Sequence, residues 1–191
     1  MIVAVREFFA PKQDAAAEGT LASWLFLRAQ GLVFLIAFLS LWPQLLGLIG
    51  SRGMLPAAPF LNAVSQQVGA SRFHLLPTLF WFGSSDSALQ LLCALGLCFS
   101  LLLFIGTLEL PALIGIWACY LSFTSAGREF LSFQWDALLL ESAIFSIPLL
   151  LSRPSLRPLL RAVPMAARVL LWLLLWRFML AAGWAKLRSG D

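Results

Sequence analysis

The 191-residue chain is 61% hydrophobic and 12% charged, where a soluble domain averages about 45–50% and about 25%. That balance excludes a soluble enzyme and assigns an integral membrane protein, with length for several spans of about 20 residues but for no sizeable soluble domain beside them. The formal net charge of +4 comes from Lys and Arg scattered along loops with no stripe of exposed aromatics between them, so it excludes nucleic acid as a partner and reads as an orientation signal.

Residues 1–20 mix Arg6, Glu7, Lys12, Asp14 and Glu18 with Pro11 and an alanine run, and read as a polar N-terminal tail ahead of a transmembrane domain over 21–191. The first predicted span runs from Trp24 to Ile49, with Arg28 close enough to its start to reach back to the interface and Pro43 placed to kink its far end. Ser51 to Phe82 is less apolar, holds Gly53, Pro56, Pro59 and Gly69, and predicts a loop with a short amphipathic helix at Phe60 to Val68 lying in the interface. A second span is predicted over Ala88 to Ile105 with Asp86 as its cap, a short third over Leu110 to Phe123, and a fourth over Phe133 to Leu151 bending at Pro148. Ser152 to Arg168 is a basic loop with Arg153, Arg157, Arg161 and Arg168, and the fifth span runs from Val169 to Lys186.

The fold class that follows is all-α: a polytopic transmembrane helical bundle of five spans plus an interfacial helix. With the N-terminus inside, seven Lys or Arg fall on the inner side and five on the outer, and the arginine-rich loop between spans four and five carries most of that bias. The competing reading of the first span as a cleaved signal peptide asks too long an apolar run of an h-region.

Charges inside apolar runs are expensive unless paired, and two stand out. Glu141 and Arg177 lie near the midpoints of consecutive spans joined by a short loop, which predicts antiparallel neighbours whose opposite charges meet at one depth. Gln134, two helical turns before Glu141 on the same face, completes a predicted intramembrane polar centre. This centre reads either as a binding site for a substrate, proton or partner group, or as a structural pair that fixes helix register.

Asp136 and Lys186 fall nearer the outer interface. Asp136 would serve as a general base beside a cavity, yet an acid in a first helical turn is also a favourable dipole partner. Lys186 anchors a helix end by snorkelling, and the small residues Ala181, Ala182, Gly183 and Ala185 after Arg177 suit close helix approach.

Cys93, Cys98 and Cys119 all lie in apolar runs and give no disulfide framework. A single histidine, His74, leaves no basis for a multi-histidine metal site, and no nucleophile elbow, Walker or dinucleotide pattern appears. The residues therefore call for no metal and no cofactor, and supply no positive evidence for an enzyme.

Five segments carry a resemblance: RAQGLVFLIAFLSLWPQLLGLIGSRGMLP (Arg28 to Pro56), PTLFWF (Pro77 to Phe82), YLS (Tyr120 to Ser122), FLSFQWDALLLE (Phe130 to Glu141) and WRFMLAAGWAKLRSGD (Trp176 to Asp191). Together they resemble the lipase maturation factor family, FQWDALLLE and KLRSGD most specifically. The resemblance implies a polytopic membrane protein that helps secreted lipases fold and assemble into active dimers, a folding factor and not a lipase. It also implies the endoplasmic reticulum membrane for a eukaryotic member and the cytoplasmic membrane for a bacterial one, with membrane lipids and a secreted lipase client as partners.

The family pattern continues past the Ser189, Gly190, Asp191 end into further spans and a large lumenal portion. Two other readings stand beside the folding factor: a membrane enzyme or carrier acting on a lipid-soluble substrate at Glu141, Arg177 and Asp136, and a truncated fragment without activity of its own.

Overall fold

The computed structural model describes residues 13–151 and 165–189. Seven α-helices follow one another among them: α1 (Gln13–Ile49), α2 (Ala57–Val68), α3 (Arg72–Leu75), α4 (Asp86–Ile105), α5 (Glu109–Gly127), α6 (Gln134–Leu151) and α7 (Met165–Ser189), with no strand among the described residues. Five of them, α1, α4, α5, α6 and α7, are long and apolar enough to cross a membrane. The multi-pass helical fold expected from composition is therefore present, since in hydrocarbon a helix satisfies every backbone polar group within its own segment.

Several boundaries move. Helix α1 starts at Gln13, inside the stretch read as a tail, and α5 runs to Gly127, four residues past the predicted end of the third span. In that added turn Thr124 Oγ1 donates to the Leu121 carbonyl at 3.0 Å. The predicted cap also moves, because the Ser85 hydroxyl accepts from the Ala88 amide at 3.3 Å while Asp86 is the first helical residue. Asp86 has another task, accepting from the Ser51 amide and hydroxyl at 2.7 Å each and so tying the end of α1 to the start of α4. Helix α1 continues through Pro43, where the Gln44 side chain donates to the Ser40 carbonyl at 2.9 Å in the turn the proline disturbs. Arg153, Arg157 and Arg161, with Arg6 and Lys12, lie outside the described residues.

The chain divides into two compact units, residues 30–144 and a second made of 1–29 with 145–191. In the first, α4 and α5 form a hairpin through the link 106–108, where Gly106 (φ 94°) ends α4 in the left-handed conformation that spares glycine a Cβ clash. The α1 portion packs on this hairpin closely: a Cβ at Gly31 would stand 2.7 Å from the backbone nitrogen of Phe104. Small residues at such crossings let helix backbones approach in lipid, where no hydrophobic gain drives helices together.

An aromatic seam fills the same unit. Phe34 and Phe38 of α1 each meet the Tyr120 ring edge-on, at centroid distances of 5.4 and 5.6 Å. Phe123, one turn along α5, meets Phe38 at 6.2 Å and Phe80 at 5.2 Å. In the second unit Arg28, 7% exposed, lays its guanidinium over the Trp24 ring one turn back, 5.5 Å from the centroid, a cation–π contact. Helix α7 leaves Trp172, Trp176, Met179 and Trp184 more than 60% exposed, a surface suited to lipid chains.

Gly31→Ala forces the α1 and α4 backbones apart and is expected to cost about 1–3 kcal/mol. Gly183→Ala on α7, where nothing lies within 4 Å of the added Cβ, is expected to be neutral or to stabilise by up to about 1 kcal/mol through helix propensity. Thermal unfolding in detergent separates them, and equal midpoints would show that the first crossing is not tight.

Candidate functional site

Among the described residues of the unit 30–144, Asp136 is a buried acid, 3% exposed. It occupies the third position of α6, and its Oδ2 accepts from the backbone N–H of Phe133, the residue ahead of the helix, at 3.2 Å. That is the acidic half of a capping box, which satisfies an amide that the helix itself leaves unpaired. Its Oδ1 accepts from the Tyr120 hydroxyl of α5 at 2.5 Å. A buried polar group without partners costs free energy, and these two donors offset that cost while locking α5 to α6.

The other expected site residues fall as follows. Gln134 is the first residue of α6 and is exposed, so it stands at the helix end about 10 Å along the axis from Glu141. Glu141 is half-buried in the unit 30–144, whereas Arg177 and Lys186 are exposed residues of α7 in the other unit. At the residue after Glu141 a contact was missed in the sequence: buried Gln30 of α1 donates to Ser142 Oγ at 3.0 Å. Tyr120 was missed as well, and its signal was its uniqueness, the chain holding one tyrosine. Among the described residues no group of three His, Cys, Asp or Glu is placed to hold a metal.

The loop between α1 and α4 is built onto the C-terminal part of α5. Thr78 Oγ1 donates to the Ser122 carbonyl at 3.3 Å, the Leu79 amide donates to Ser122 Oγ at 2.9 Å, and Ser125 Oγ donates to the Pro77 carbonyl at 3.1 Å. Phe80, 3% exposed, plugs into the aromatic seam beneath. Trp81 turns its indole N–H to the Leu76 carbonyl at 2.9 Å and offers its ring to Arg72, whose guanidinium lies 5.0 Å from it and 4.9 Å from Phe73. Arg72 also donates to Ser65 of α2, and Arg128 just past α5 covers Phe60 of α2 at 5.0 Å.

The loop is thus a fixed platform. Among its exposed side chains are large apolar ones, Met54 69%, Leu75 66% and Phe82 88% exposed, alongside polar ones such as Arg52, Gln66 and His74. A hollow of about 220 Å³ beside them is walled by Phe73, Leu79, Trp81, Trp117 and Leu121. What this end of the molecule can do chemically is hold an apolar partner; its one buried acid has both oxygens engaged in structure.

Removing the tyrosine hydroxyl tests the link beneath the platform. Tyr120→Phe is expected to destabilise by about 1.5–3 kcal/mol, the range for a hydrogen bond to a charged group, and Asp136→Ala by at least as much. The double variant should cost clearly less than the sum. Strict additivity in detergent unfolding would show that the two groups do not interact.

Comparison with known proteins supplies what this geometry alone does not. The family described as Lipase maturation factor transmembrane domain matches residues 21–191. The chain is 35% identical to Lipase maturation factor 2 of Xenopus laevis over 182 residues, covering 90% of this chain and 26% of that protein. It is 34% identical to Lipase maturation factor 1 of Homo sapiens over 181 residues, covering 86% and 31%, and 35% identical to human Lipase maturation factor 2 over 184 residues, covering 86% and 26%. It therefore spans between a quarter and a third of the length of these relatives, and no solved structure matches it. A buried acid and tyrosine within FQWD and YLS, under a loop that ends in PTLFWF, are what the resembling segments encode, and the chain belongs to the lipase maturation factor family through its transmembrane domain.

Proposed function

We propose that the chain is the membrane-embedded part of a maturation factor for secreted lipases, and that its loop over residues 51–82 addresses the client. The observation that carries this reading is the platform itself. An irregular loop held by three hydrogen bonds to α5 keeps Met54, Leu75 and Phe82 outside, and a folding factor needs exposed apolar groups that recognise the exposed apolar groups of an unfinished client. The names of the relatives supply the class of client.

On this reading the N-terminus lies inside and the platform faces the side to which lipases are exported. The membrane is that of the endoplasmic reticulum in a eukaryotic host and the cytoplasmic membrane in a bacterial one. The transmembrane domain is taken as residues 21–191, with 1–20 as the N-terminal segment ahead of it. Glu141 and Arg177 pair at mid-membrane depth as a register device, with Lys186 anchoring the end of α7 at the outer interface, and no cofactor takes part.

Deleting the gene is expected to lower the specific activity of a secreted lipase without lowering its synthesis. Leu75→Ser with Phe82→Ser should reproduce the loss in a chain that reaches the membrane in normal amount. Normal lipase activity with that variant would refute the assignment of the loop. For the internal pair, Glu141→Gln and Arg177→Gln are expected to couple in a double-mutant cycle of detergent unfolding by roughly 0.5–3 kcal/mol. Additive losses would show that they stand apart.

A further inference from the structure

The client assignment above rests on Met54, Leu75 and Phe82 and makes no use of the hollow beside them, about 220 Å³ in volume. Its walls of Phe73, Leu79, Trp81, Trp117 and Leu121 are rings and hydrocarbon, and among the described residues that line it none is charged. Phe73 and Leu79 stand 49% and 40% exposed, so it opens outward. Its hydroxyls are committed within the chain. That of Thr78 donates to the Ser122 carbonyl and accepts from the Phe80 amide, while that of Ser122 donates to the Ala118 carbonyl and accepts from the Leu79 amide. The indole of Trp117 differs: its Nε1 is buried and meets no acceptor among the described residues, which leaves the desolvation of that donor uncompensated. In α5 (Glu109–Gly127) Trp117 stands eight residues after the first and ten before the last, about 12 and 15 Å along the axis. This helix is long and apolar enough to cross a membrane, and on a spanning helix that position is near the middle of a hydrocarbon core about 30 Å thick.

We propose that the hollow binds a neutral long-chain ester, an acylglycerol without a charged headgroup, with one acyl chain along the walls and an ester carbonyl accepting from Trp117 Nε1. Trp117 is half-buried, so its ring has room to turn the N–H toward an occupant. Each competing occupant leaves something unmet. A water needs about two to four polar partners, and the walls offer it one free donor. A peptide brings amide N–H groups for which apolar walls supply no partner. A fatty acid brings a charge into hydrocarbon, and a phospholipid is held at the interface by its headgroup, with its ester carbonyls away from mid-membrane depth. A neutral ester carries acceptors and no charge, and nothing holds it at the interface. The volume agrees with one stretch of acyl chain, since a cavity of about 150 Å³ already admits a benzene molecule.

The test places the whole chain in phosphatidylcholine nanodiscs containing one of three probes with the same photoactivatable alkyl chain: a triacylglycerol, a phosphatidylcholine or a plain hydrocarbon. Crosslinked peptides are located by mass spectrometry. The triacylglycerol should label residues 77–81 and 117–122 roughly fivefold more than the hydrocarbon does, the factor for one net hydrogen bond, and more than the phosphatidylcholine does. Trp117→Phe keeps a ring in the wall but removes the donor, and should bring triacylglycerol labelling down to the hydrocarbon level. Leu121→Trp, which fills the hollow, should abolish labelling there by every probe. Equal labelling by triacylglycerol and hydrocarbon, equal or stronger labelling by phosphatidylcholine, or labelling unmoved by Trp117→Phe would each overturn the proposal. Circular dichroism and the unfolding midpoint in detergent confirm that a loss in either variant is not one of folding.

Discussion

One buried carboxylate organises the unit over residues 30–144. The buried oxygens of Asp136 need donors, and two reach them: the amide ahead of its own helix and the hydroxyl of Tyr120 on the preceding one. The first fixes where α6 begins. The second fixes its register against α5, because a buried hydrogen bond is directional and costly to leave unmade. Once the Tyr120 hydroxyl is held, its ring has one orientation, and Phe34 and Phe38 of α1 pack edge-on against it. The order imposed by a polar contact is thereby handed to an apolar one. Dispersion and edge-to-face contacts do in lipid what hydrophobic transfer does in water.

The same seam reaches the loop over residues 51–82 through Phe123 and Phe80. Irregular backbone packed on protein needs protein partners for its buried polar groups, and here the hydroxyls of Thr78, Ser122 and Ser125 supply them. Ser122 serves twice, accepting from Leu79 while donating to the Ala118 carbonyl at 2.7 Å. The loop is therefore as fixed as the helices beneath it, although its composition alone reads as a flexible connector. A fixed loop can hold apolar side chains outward, whereas a mobile one would fold them against the membrane or itself.

The spans were legible because nothing but a membrane helix tolerates so long an apolar run. Their ends were less so, since Ser, Thr and Asp play several parts. Ser125 sits in a helix and bonds a distant carbonyl; Asp86, read as a cap, ties a loop while its neighbour Ser85 caps. Charge at mid-span drew attention to Glu141 and Arg177, and the same rule placed Asp136 at the interface by its position in a first turn. Its burial depended on a tyrosine sixteen residues earlier, a distance at which periodicity carries no information. Gln30 and Ser142 were illegible for the same reason, being 112 residues apart.

Around the loop over residues 51–82, cations are spent on rings: Arg72 on Phe73 and Trp81, Arg128 on Phe60. A guanidinium over an aromatic face keeps its charge but gives up part of its hydration, so that surface reads as apolar and weakly basic.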